Sequence, residues 1–91
     1  MNPRVSIIIN CFSRRQYVMD ALRSAQEQLD PGIEYEIILI KNFHDHDIDS
    51  FAEDHGIINI FTTEVETGKW FEIAARNAKG DYIFFILISL L

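Results

Sequence analysis

Basic residues are scarce. Eight Lys and Arg stand against fourteen Asp and Glu in 91 residues, leaving a formal net charge of −6 with histidine neutral. That balance argues against a nucleic-acid partner, because binding a phosphate backbone needs a basic surface. It disfavours an anionic membrane surface for the same reason. Cysteine is nearly absent: Cys11 stands alone, so no intrachain disulfide can form, which suits a reducing compartment. Two prolines and four glycines are too few for a disordered or linker-rich chain. Long apolar runs are missing as well. The run Val5 to Ile9 is broken by Asn10 and is too short for a signal-peptide core. The run Tyr82 to Leu91 has about half of the ~20 residues a helix needs to span a bilayer. The expectation is one domain over residues 1–91, soluble and cytoplasmic, with no membrane span.

What is present is a set of short β-branched runs alternating with amphipathic segments. Val5-Ser6-Ile7-Ile8-Ile9 reads as a buried parallel strand. Ser13 and Gln16 then fit a capping box, and Val18, Ala21, Leu22, Ala25 and Leu29 follow at helical spacing until Asp30-Pro31-Gly32. Tyr35 to Ile40 is a second strand. Asp45 or Asp47 can cap a short helix carrying Ile48, Phe51 and Ala52, with Gly56 as its left-handed terminator. Ile57 to Phe61 is a third strand. Thr67 or Gly68 opens a third helix with Trp70, Ile73, Ala74 and Asn77 or Ala78 inward, and Gly80 closes it. Tyr82 to Leu90 is the fourth strand. This β-α-β-α-β-α-β order predicts an α/β fold, a Rossmann-like three-layer α/β/α sandwich around a four-stranded parallel sheet.

In such a sheet ligands bind at the carboxyl ends of the strands. The loops Asn10 to Arg15 and Lys41 to Asp47 are therefore the candidate site. Val5 to Arg14, followed by Tyr17, Ala21-Leu22, Ser24 and Gln28, resembles the opening of family 2 (GT-A fold) glycosyltransferases. Glu36 to Ile40 resembles their second strand, and Gly80-Asp81-Tyr82-Ile83 resembles their approach to the metal site. The resemblance implies the strand order 3-2-1-4 and a nucleotide-diphosphate sugar of UDP or GDP type over the first two loops. It also implies that Asn10, Phe12, Arg14 and Asn42 contact that ligand.

The departures are equally specific. Asn10 and Phe12 stand where the family has Pro or Thr and Tyr. Phe12 keeps a stacking face but no hydroxyl. Where the family's second strand ends Asp-Asp-Gly-Ser, this chain reads Lys41-Asn42-Phe43-His44. Asn42 retains an amide oxygen to accept from a base, or serves simply as a turn former. The aspartates that hold Mg²⁺ or Mn²⁺ in full-length relatives fall around Leu87, Ile88 and Ser89, which offer no carboxylate. The acceptor-binding half is missing, so the expectation is a truncated domain with no cofactor, no catalytic residue and no activity of its own. The alternative is a non-catalytic self-association module derived from a glycosyltransferase. Arg14 and Arg15 are read either as a diphosphate contact or as a solvated helix turn. His44-Asp45-His46-Asp47, with His55, is read as a polar loop and helix cap rather than a metal site. Cys11 is read as a small buried hydrophobe.

No proline, lysine or other charge follows Asp81 in the fourth strand. As the sheet's outer strand, Tyr82 to Leu90 would be an unguarded pairing edge. The expectation is a homodimer through that strand, with Trp70 or Phe71 contributing at the seam.

Overall fold

A computed structural model describes residues 3–11, 15–28 and 32–88, apart from the side chains of residues 15, 16, 28, 67, 87 and 88. Seven elements follow in the expected order: β1 (Val5–Cys11), α1 (Arg15–Gln28), β2 (Tyr35–Lys41), α2 (His46–Asp54), β3 (Ile58–Phe61), α3 (Thr67–Arg76) and β4 (Tyr82–Ile88). All strand pairs are parallel and the sheet order is β3-β2-β1-β4. The fold is the Rossmann-like α/β arrangement predicted from the alternation of runs.

The pleat divides the core in two. Ile7, Ile9, Cys11, Ile37 and Leu39 face one side and pack with Val18 and Leu22 of α1 and Ile48 and Ala52 of α2. Ile8, Ile38 and Ile40 face the other and pack under Trp70 and Ala74 of α3. Two helices therefore cover β1, β2 and β3 on one face, and a single helix crosses β1 and β2 on the other. Helical cover of β4 is slight: Phe71 of α3 meets Phe85 edge-on at 4.8 Å, and Tyr82 to Ile86 remain exposed.

The caps follow from the residues. The Ile48 N–H donates to Asp45 Oδ1 at 3.0 Å, which fixes the start of α2. Gly56 lies at φ 66° just past its end, and the Ile57 N–H reaches the Ala52 carbonyl at 2.8 Å, a Schellman-type closure. The Ser13–Gln16 capping box and the Asp30-Pro31 stop lie outside the described residues.

Several details differ from the sequence reading, and β3 starts at Ile58 rather than Ile57. β1 runs to Cys11 and β2 to Lys41, because β1 is hydrogen-bonded on both sides and its ladder continues past Ile9. Asn10 and Lys41 are consequently strand residues, not loop residues. β4 is described to Ile88, and its continuation toward Leu90 lies outside the described residues. Asn77 does not point inward; it caps α3, exposed, with Nδ2 donating to the Ile73 carbonyl at 2.9 Å, while Ala78 packs against the core. Gly80 plays no part in ending α3. A Cβ there would lie 2.7 Å from the Ser6 backbone nitrogen, so its role is close approach of the β4 lead-in to β1.

Candidate functional site

The carboxyl ends of all four strands lie along one edge. Register places Asn10 opposite Ile40 on one side and Leu87 on the other, and Cys11 opposite Lys41 and Ile88. Lys41 is in turn opposite Phe61. Asn42 follows β2 directly and is half-buried. From standard strand spacing, its backbone lies about 8 Å from that of Asn10. Phe12 and Arg14 lie outside the described residues.

Asn10 is the unusual group. It is 2% exposed, and neither its Oδ1 nor its Nδ2 has a hydrogen-bond partner among the described residues. Buried polar side chains are almost always paired, and leaving one unpaired costs about 1–3 kcal/mol. On β1 it continues the α3-facing row Ser6, Ile8, Asn10. The other polar member of that row is fully engaged: the Ser6 hydroxyl donates to Glu36 and accepts from the Gly80 N–H at 2.9 Å. The contrast isolates an amide with a free donor and a free acceptor at the edge where α/β sheets hold their ligands.

Next to it is a buried cation. Lys41 is 1% exposed and its Nζ lies 3.1 Å from Asp49 Oδ1 on α2. Asn59 Nδ2 donates to the same carboxylate at 2.6 Å. Partial burial pushes the Asp49 carboxyl up. The hydrogen bonds from Asn59 and Lys41, with the charges of Lys41 and His44, more than reverse this and hold it below its ordinary value. His44 stacks on Phe61 with ring centroids 3.9 Å apart, so this loop is braced across β2 and β3.

The histidine-aspartate run is a cap, as read. Asp45 serves the α2 N-terminus, and His55 stands at the opposite end of that helix, its Nδ1 2.8 Å from the Phe51 carbonyl and its ring on Phe51. Among the described residues no group of three His, Cys, Asp or Glu is placed to hold a metal ion. Cys11 is buried and, as the single cysteine, forms no intrachain disulfide. A cavity lined by Gln26, Tyr35, Glu36, Ile37, His55, Gly56 and Ile57 lies at the amino end of β2, the wrong end of the sheet for this class of site.

The model of the family described as "Glycosyl transferase family 2" matches residues 6–86. The chain belongs to this family. The match covers all four strands up to Ile86 and both edges of the candidate site, and no curated protein matches the chain. Just past the matched residues, β4 brings Leu87 and Ile88 level with Asn10 and Cys11. Their side chains carry no oxygen, nitrogen or sulfur, so these residues do not fit a divalent cation. Asn42 is preceded by Lys41, the last residue of β2, whose charge Asp49 neutralises. Asp49 escaped the sequence reading, although a lone lysine ending an apolar buried strand signals that a carboxylate must stand close by.

Proposed function

We propose that this family 2 domain binds the nucleotide part of a nucleotide-diphosphate sugar, without metal, and does not transfer the sugar on its own. The observation that carries the reading is the buried Asn10 amide at the carboxyl edge, neither of whose hydrogen-bonding atoms has a partner among the described residues. A side-chain amide presents an acceptor and a donor side by side. That pattern complements the adjacent N–H and C=O on the pairing edge of uracil or guanine. Asn42, about one base-width further along the edge, is the second candidate contact, and Phe12 and Arg14, which follow β1 in the sequence, complete the proposed set. Leu87 and Ile88 leave the diphosphate leaving group without a Lewis acid, which supports binding uncoupled from transfer.

Calorimetry with UDP and GDP, with and without Mn²⁺, tests this. Expected is weak binding of one nucleotide, unchanged by Mn²⁺. Asn10→Leu should abolish that binding while raising stability by about 1–2 kcal/mol, since it removes an unpaired buried amide. Binding that survives Asn10→Leu, or that requires Mn²⁺, would contradict the proposal. So would metal-dependent turnover in a radiolabelled sugar-transfer assay.

A further inference from the structure

The first turn of α3 departs from the chemistry of a helix start at two positions. Gly68 is its second residue, exposed and in ordinary helical backbone, Gly56 being the positive-φ glycine among those described. A Cβ at Gly68 would meet nothing within 4 Å. No left-handed angle and no close approach within the chain asks for glycine there, and alanine would make the better helix. Lys69 follows, a cation at the end of the helix where the macrodipole favours anions, and the turn holds no acidic residue. The N-cap residue Glu66 makes no side-chain cap bond, and among the described residues none accepts from the Gly68 N–H. Local rules broken without an internal compensation mark functional positions.

The same turn overlies the unpartnered amide. As a crossover between parallel strands, α3 runs back from the carboxyl edge of the sheet. Trp70 and Ala74 cover Ile8, Ile38 and Ile40, so the turn before Trp70 lies over the end of that row. The last member of the row on β1 is Asn10, 2% exposed and without a hydrogen-bond partner among the described residues. Trp70, expected at the outer strand, is instead 1% exposed in this core. Its Nε1 donates to the Glu64 carbonyl at 2.6 Å, which ties down the lead-in to the helix. Packed backbone layers lie ~10 Å apart, a gap that a nucleotide bridges from base edge to phosphate.

We propose that the first turn of α3 holds the phosphate of the nucleotide whose base edge meets Asn10. The Gly68 N–H donates to a phosphate oxygen, and Lys69 Nζ supplies the counter-charge. This rests on the nucleotide reading above and adds where the anion goes. Glycine is the residue that lets a backbone come close to a ligand, and a methyl group at position 68 would take the space the oxygen needs. Two carboxylates oppose the anion. Glu64 is turned to its own loop, Oε1 accepting from the N–H groups of Val65 at 3.2 Å and Glu66 at 3.4 Å. Glu66 is more open, its side chain 69% exposed and 4.0 Å from Lys69 Nζ, so its charge competes with the phosphate for that lysine.

Calorimetry with GDP, UDP, guanosine and uridine on the wild-type chain should show a nucleotide binding about tenfold more tightly than its own nucleoside. In Gly68→Ala that gap should close while thermal stability rises, because alanine is the better helix former. A merely structural glycine would give no loss of affinity. Glu66→Gln should tighten nucleotide binding and Lys69→Met should weaken it. Pyrophosphate alone, titrated and followed by NMR, should move the Gly68 amide proton downfield. Equal affinity for nucleotide and nucleoside, or a Gly68→Ala chain that binds nucleotide as the wild type does, would overturn the phosphate assignment and leave the base reading standing. A pyrophosphate shift at Gly68 without any preference for a base would do the reverse, supporting the anion cradle and overturning the base reading. No shift at Gly68 with pyrophosphate or either nucleotide would overturn the proposal outright.

Discussion

A buried lysine with a half-exposed partner makes an asymmetric ion pair. Lys41 has no access to water, whereas the Asp49 side chain is 41% exposed. Removing the carboxylate strands the cation, which for a fully buried pair costs about 3–5 kcal/mol; with one partner half in water, about 1–3 kcal/mol is expected for Asp49→Ala. Lys41→Met removes the charge and keeps the stem, so it should be neutral or slightly stabilising. Urea unfolding of both variants checks this, and equal losses would mean the pair contributes as a pair. The pH dependence follows from the lowered Asp49 carboxyl. Its stabilisation is complete above the ordinary value of 3.8 and drains away as pH falls through the folded value. The stability gap between wild type and Asp49→Asn should therefore be flat from pH 5 to 7 and narrow in acid. At this scale the sequence was legible where chemistry is local: Asp45 three residues before Ile48 announces a cap. It was opaque where partners are distant in the chain. Nothing local links Asn59 to Asp49, and only strand register brings Ser6 beside Glu36. The unsatisfied state of Asn10 was invisible for the same reason, being a property of what surrounds it rather than of asparagine.

Elements were read more securely than residues, because each run has one periodicity and its punctuation agrees. β-branched runs became strands and the Val18-Leu22 spacing became the buried face of α1. What misled was the local appearance of strand ends. A polar Asn10 and a charged Lys41 look like loop, yet ladder hydrogen bonds on the central strands hold both in the sheet. Gly80 shows a second blind spot, since a glycine after a helix reads as a terminator even when its purpose is tertiary. Here the Lys79 N–H donates to Glu36 at 2.6 Å and the Gly80 N–H to Ser6, clamping the entry of β4 against β1 and β2. Gly80→Ala would force a methyl group to 2.7 Å from the Ser6 nitrogen and 2.8 Å from the Val5 carbonyl carbon, both backbone atoms that cannot rotate away. Overpacking of this kind costs about 1–3 kcal/mol. The loss should concentrate in β4, read as faster amide exchange there than in β2. Gly56→Ala is the useful contrast. Space around it is open and only its φ of 66° is disfavoured, so it should cost about 1–2 kcal/mol with no effect on β4 exchange.

For the whole molecule, composition and architecture pull in opposite directions. The chain carries −6, a charge that sets copies apart in solution, while Tyr82 to Ile86 on its outer described strand are exposed and apolar. Screening decides how far that repulsion reaches: the Debye length is ~30 Å at 0.01 M salt and ~8 Å at 0.15 M. Any association of copies through exposed apolar side chains should therefore tighten as salt rises over that range, whereas association held by ion pairs should loosen. Sedimentation equilibrium at the two salt concentrations reads the sign, and dissociation that increases with salt would show that charged contacts hold the copies together.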